Sequence, residues 1–182
     1  MAEQRIIVDH LTINYTGLFN ITELYQLIDN FIREKGFDKR ELRNQEHVTP
    51  EGKYIELELQ PWKKVSDYVR HQMRVLVRMI KVKEVTIDVD GKKKKMHKGK
   101  VYIIIDGLMY TDFEGRWEQR PFYFFLRTIF DKFIYRSYTG QFEDLLVENC
   151  GQLYQTVKGY LNMHRYVSAP MKRSPRMEPG AF

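Results

Sequence analysis

From Val65 to Val89 apolar and polar side chains alternate with little interruption, and the pattern resumes at Val101 after a short charged segment. A period of two belongs to a strand with one face buried, because successive Cβ atoms point to opposite sides of the backbone. Val69, Met73, Val75, Val77 and Met79 fall on one face, Arg70, Gln72, Arg74 and Arg78 on the other, and Val85, Ile87 and Val89 continue the series. The arginines stand four apart, which also fits a helix, but the β-branched content and the sustained alternation select a strand. Between the two apolar runs lies Asp90-Gly91, a pair that tolerates the positive φ of a tight hairpin turn. A long hairpin of this kind needs further strands beside it and a cover for its apolar face.

Both are legible. Arg5 to Tyr15 reads as a first strand, with Ile7, Leu11, Ile13 and Tyr15 apolar and a polar interruption at Asp9-His10 that marks a bend. Ile21 to Lys35 reads as a helix: Asn20 or Thr22 caps it, Glu23 completes a capping box with Asn20, and Leu24, Leu27, Ile28 and Phe31 share one face before Gly36 ends it. After a turn at Val48-Thr49-Pro50-Glu51-Gly52, residues Tyr54 to Gln60 alternate, with Ile55, Leu57 and Leu59 inward and Glu56, Glu58 and Gln60 outward. Val101 to Phe113, a turn at 112–115, an aromatic strand from Arg116 to Arg127 and an extended piece to Tyr138 follow. Gly140 then introduces a helix, Gln141 to Met163, with Phe142, Leu145, Leu146, Leu153, Val157, Tyr160 and Leu161 as an apolar stripe. From His164 the pattern stops, and Pro170, Pro175 and Pro179 accompany basic residues in what reads as a tail.

The expected fold class is α+β: a curved, mostly antiparallel sheet packed on a long C-terminal helix, with one helix after the first strand. Residues 1–163 form one domain and 164–182 the tail. The order of elements resembles the START-like helix-grip superfamily, in which a curved antiparallel sheet grips the C-terminal helix. That resemblance implies an apolar ligand cavity beneath the helix. It rests on element order over residues 5 to 163, with no motif, and the superfamily usually places two helices after its first strand.

Charge is unevenly spread. The net charge is +6, yet Lys92, Lys93, Lys94, Lys95, Lys98 and Lys100 contribute six positive charges without an acid between them. Arg165, Lys172, Arg173 and Arg176 against Glu178 leave the last segment at +3, so the rest of the chain is slightly acidic at −3. The run from Asp90 to Lys100 reads as the projecting turn at the hairpin tip, and such a cationic projection on a neutral-to-acidic body points to a localised phosphate-binding surface, with edge protection of the sheet as the plainer reading. Arg70, Arg74 and Arg78 form a second basic ribbon, either available to phosphate or paired with Glu56 and Glu58 across the sheet. In the aromatic strand, Phe122 and Phe124 belong to the core, while Tyr123 and Phe125 face a partner or a second copy.

Reactive chemistry is sparse. His10, His47, His71, His97 and His164 show no metal-ligand spacing, and no GxGxxG, GxxxxGK[ST] or GxSxG motif occurs. No cofactor or metal is expected. Asp9-His10 makes an acid–base pair only if His71 faces the same cavity. Asp88, Asp90, Asp106 and Asp112 read as turn residues near strand ends. The single cysteine, Cys150, lies in mid-helix as a small packed side chain and precludes an internal disulfide. With no run of ~20 apolar residues and no signal-peptide order at the N-terminus, the expected location is the cytoplasm.

The expected function is therefore a non-enzymatic protein associated with structured RNA or the ribosome, with no membrane partner. It docks through the lysine hairpin and basic tail and is compatible with a homo-oligomer. The alternative is a helix-grip carrier or enzyme holding a small hydrophobic ligand.

Overall fold

The structure, a computed structural model, describes residues 3–89, 92–111 and 135–167. In chain order the elements are β1 (Glu3–Phe19), α1 (Ile21–Glu34), β2 (Glu41–Thr49), β3 (Gly52–Leu59), β4 (Trp62–Lys64), β5 (Val69–Val89), β6 (Lys92–Thr111) and α2 (Tyr135–Val167). The strands make one antiparallel sheet in the order β1-β6-β5-β3-β2, and the short β4 pairs with β5 beyond the end of β3. The α+β class, the antiparallel sheet and the packing of a C-terminal helix on it are as the sequence predicts, an arrangement compatible with the helix-grip fold. The turn expected at 112–115 and the aromatic strand from Arg116 to Arg127, with Trp117 and Phe122 to Phe125, lie outside the described residues.

One face of the sheet is the core. Ile55, Leu57 and Leu59 of β3, Val69, Met73, Val75, Val77 and Met79 of β5 and Val101, Ile103, Ile105 and Met109 of β6 are all buried on it. From α2, Leu146, Cys150, Leu153, Val157 and Leu161 pack against this face, and Leu24, Ile28, Phe31 and Ile32 of α1 complete the cluster. Each such side chain contributes roughly 1.5–3 kcal/mol by leaving water. Leu145, on the edge of the expected stripe, is instead 37 % exposed. Gly107 marks the closest approach of helix and sheet: a Cβ there would stand 3.0 Å from Cys150 Sγ and 3.1 Å from Val8 Cβ.

Local chemistry fixes the element ends. Asn20 Oδ1 accepts hydrogen bonds from the Thr22 and Glu23 N–H groups, and Gly36 at φ +68° follows the helix, where a left-handed residue is needed. The Asp9-His10 interruption is a bulge: the β1–β6 register shifts between Val8 and Leu11, and His10 sits at φ 53°.

Three expectations are corrected. The lysine run is not a turn but a strand, since Lys92 to Met96 pair residue by residue with Val85 to Val89 and leave only Asp90-Gly91 between the strands. Asp106 is not at a strand end; it sits inside β6, opposite Arg74. The last helix begins at Tyr135, so Gly140 is internal to it, where open space around its Cα limits the penalty to about 1 kcal/mol of propensity. It also runs on to Val167, past the expected end at Met163.

Candidate nucleic-acid interface

Past Glu84 and His97, where the pairing of β6 with β1 ends, the β5–β6 hairpin continues as a two-stranded arm among the described strands. The bulge that turns it lies between Ile80 and Lys83, with Lys81 at φ 55°. Gly99 permits the bend, because a Cβ there would lie 3.1 Å from the Ile80 carbonyl oxygen and 3.2 Å from Val82 Cα. Past the bulge the ladder sets Lys83 opposite Lys98, Val85 opposite Met96, Ile87 opposite Lys94 and Asp88 opposite Lys93. Strand geometry therefore splits the lysine run between two faces. Lys93 and Lys95 share one with Glu84, Thr86 and Asp88, while Lys94 stands on the side of Val85, Ile87 and the buried Met96.

Several lysines are already engaged. Lys94 Nζ lies 2.9 Å from Glu23 at the start of α1, Lys95 Nζ 3.1 Å from Glu84 and Lys81 Nζ 2.6 Å from Glu51. The neighbouring lysine holds the exposed carboxyls of Glu51 and Glu84 below their ordinary range, by hydrogen bond first and charge second. Among the described residues no carboxylate lies within ion-pair distance of Lys83, Lys93, Lys98 or Lys100, all four of which are exposed. Lys81 and Lys83 escape sequence reasoning, because both precede the conspicuous run and only the ladder brings them to the same hairpin.

The arginine ribbon takes up the face of the sheet away from the helices, and it is charge-paired. Arg74 Nε binds Glu58 at 2.8 Å with Asp106 at 3.8 Å, and Arg78 lies 3.7 Å from Glu56, which also binds Arg43 at 2.8 Å. The hydrogen bond from Tyr54, then that from Arg43 and the charge of Arg78, outweigh burial and lower the Glu56 pKa. Arg70 instead lies over two rings, its Cζ 5.5 Å from the centre of Trp62 and 4.8 Å from that of Tyr110. Arg165 lies in the last turn of α2. Lys172, Arg173 and Arg176 are outside the described residues.

Two of the histidines, His10 and His71, lie in opposite environments. At the β1 bulge, Asp106 Oδ1 accepts the His10 N–H at 2.8 Å and lies 3.6 Å from His10 Nδ1, which also meets Asp9. The Asp9 hydrogen bond, reinforced by the charge of Asp106, raises the pKa of this exposed imidazole. Asp9, His10 and Asp106 offer ligand atoms within 4.8 Å of one another, a donor set for a divalent cation. Arg74, 3.8 Å from Asp106, already supplies positive charge there.

His71 is not part of this group. It is on the opposite, core-facing side of the sheet, fully buried, edge-on to Phe142 with ring centres 6.5 Å apart. Among the described residues neither ring nitrogen has a hydrogen-bond partner, and burial, aided by the charge of Lys63, pushes its pKa down to about 4. The acid–base pairing of Asp9-His10 with His71 is thus not assembled. Cys150 is buried as expected, and burial raises its thiol to about 12, far from nucleophilic.

Between sheet and helix, Met73, Ile103, Ile105, Met109, Leu146 and Leu153 are all fully buried. A groove of about 720 Å³ lies elsewhere, between α1 and α2, with Leu27 and Phe31 facing Glu148, Gly151 and Gln155. No described strand lines it. Among the described residues no helix is long and apolar enough to cross a membrane.

No protein-family model matches the chain, and no curated protein is significantly similar to it in sequence.

Proposed function

We propose that this chain is a non-enzymatic RNA-binding protein that docks on structured RNA such as the ribosome, in the cytoplasm. The β5–β6 hairpin makes the main phosphate contact and the basic segment carrying Arg165, Lys172, Arg173 and Arg176 a second one. On element order we also assign the fold to the START-like helix-grip superfamily, with large apolar side chains of the described sheet and helix buried between them.

One observation carries this reading: Lys83, Lys93, Lys98 and Lys100 are exposed, without a carboxylate partner among the described residues, along one hairpin, with Lys93 on its arm and Lys83, Lys98 and Lys100 at the arm's base. Four solvated ammonium groups on one hairpin repel each other and add nothing to folding, yet each releases a counterion when it meets a phosphate. Arg74 and Arg78 add less, because Glu58, Asp106 and Glu56 neutralise them.

The test is binding of a fluorescent RNA hairpin between 50 and 200 mM KCl by the wild type and by a variant with all four lysines changed to Ala. The logarithmic salt slope is expected to fall by about 3, at roughly 0.7–0.9 for each phosphate no longer neutralised, with an unchanged circular dichroism spectrum. Equal slopes would refute the hairpin as the contact.

A further inference from the structure

β2 closes the sheet on one side, and every one of its nine residues is exposed. Among the described residues its partner is β3 alone, so the backbone donors and acceptors of its outer edge are open to another strand. The side chains do little to block this. Its three charges are engaged within the chain, Arg43 with Glu56 at 2.8 Å, Glu46 with Lys53 at 2.8 Å and Glu41 as acceptor from the Tyr25 hydroxyl at 3.2 Å. What remains at the centre is the uncharged pair Asn44 and Gln45. At the two ends stand Leu42, 47 % exposed at the β2 bulge, and Val48, 76 % exposed.

These positions have a symmetry. Leu42 and Val48 are equally far from Gln45, so an antiparallel copy of β2 centred on Gln45 sets Leu42 against Val48 at both ends. A two-fold axis perpendicular to the sheet keeps each residue on its own face, which permits only registers that shift by two. In the centred register Arg43 meets His47, Asn44 meets Glu46 and Gln45 meets its own copy, with no two carboxylates opposed. A shift one way opposes Glu46 to Glu46, and a shift the other way sets Leu42 against Glu46. Only the centred register pairs apolar with apolar and avoids like charge.

We propose that β2 is a homodimerisation edge: two copies join β2 to β2, antiparallel and centred on Gln45, and so continue one sheet across a two-fold axis. Nine residues a side is a small contact against the ~1,600 Å² of a standard interface, so the dimer is reversible and concentration-dependent. It is independent of RNA binding, although it brings two lysine arms into one particle.

The register is tested by crosslinking. In the centred pairing two copies of a Gln45→Cys chain face each other within disulfide range, whereas Arg43→Cys or His47→Cys chains meet only when the two are mixed. The buried Cys150 does not compete. Under mild oxidation Gln45→Cys is expected to give a disulfide dimer at least ten times faster than either other single variant, and the mixture of those two to give the hetero-crosslink. In sedimentation velocity, Val48→Asp is expected to weaken association at least tenfold with an unchanged circular dichroism spectrum. A monomer at every concentration, crosslinking no faster at position 45 than at 43 or 47, or association that survives Val48→Asp would each overturn the proposal.

Discussion

Replacing His71 with Leu should remove an acid-sensitive weakness from the core. In the native state the imidazole is fully buried, has no hydrogen-bond partner at either nitrogen among the described residues and binds a proton only near pH 4. In the unfolded chain it titrates at its ordinary value of 6.5. Because its native pKa is depressed, a neutral His71 costs no protonation energy above pH 6.5; below it the unfolded state gains a proton that the native state refuses. Stability therefore falls with pH from about 6.5 to 4, by about 1.4 kcal/mol per unit, which amounts to about 2 kcal/mol at pH 5 and about 3 kcal/mol at pH 4. Leucine has a similar volume and nothing to protonate. The variant should match or exceed the wild type at pH 7.5, since two unsatisfied polar atoms leave the core. The difference should then widen as pH drops. Urea denaturation followed by circular dichroism at pH 7.5, 6, 5 and 4.5 measures it, with the variant correcting for carboxylates that titrate in both proteins. Parallel loss of stability in the two proteins from pH 6.5 to 4.5 would mean that native His71 accepts a proton as readily as the unfolded chain, and the reasoning would fail.

Other perturbations have equally definite outcomes. Leu153→Asp puts an unpaired charge at a fully buried position of α2 and should cost over ~4 kcal/mol, visible as loss of cooperative thermal unfolding. Gly107→Ala forces a methyl against Cys150 Sγ and Val8, so a loss of about 1–3 kcal/mol is expected; Cys150→Ala in the same chain should recover part of it, as a double-mutant cycle in denaturant would reveal. Asn20→Ala removes the acceptor for the first N–H groups of α1 and should lower stability by about 1 kcal/mol, measured by the same denaturation.

Where burial imposes a period, the sequence is easily read. The inward set of β5 and the alternation of β3 are assignable because each residue on one face has to be apolar, and the Asp9-His10 interruption shows where β1 bulges. Lysines carry no such imprint. A run of four has no alternation of its own, and what makes Lys92 to Lys95 a strand is the ladder to Val85–Val89. Asp106 misleads for a related reason: a charged residue after Ile105 resembles a boundary, yet β6 continues because Arg74 on the adjacent strand accommodates the carboxylate. In the candidate interface, the lysines themselves are visible in the sequence. That Glu23 occupies Lys94 from a helix far earlier in the chain is not, since only folding joins them.

The position of β1 has a consequence for how the chain is made. Tyr15 pairs with Val101 and Phe19 with His97, so among the described strands the first synthesised finds its only neighbour in the last. At roughly 5–20 residues per second, β1 spends on the order of 5–20 s outside the synthetic machinery before β6 exists. Closing so long a loop is also entropically slow, which places this pairing late in folding. During that interval β1 is a bare strand open to any other, including β1 of a neighbouring nascent chain. The bulges between Ile6 and Leu11, with a left-handed His10 in the middle, make it a poor template for a straight partner. The kink that builds the Asp9–His10–Asp106 cluster in the finished protein thus also protects the unfinished one.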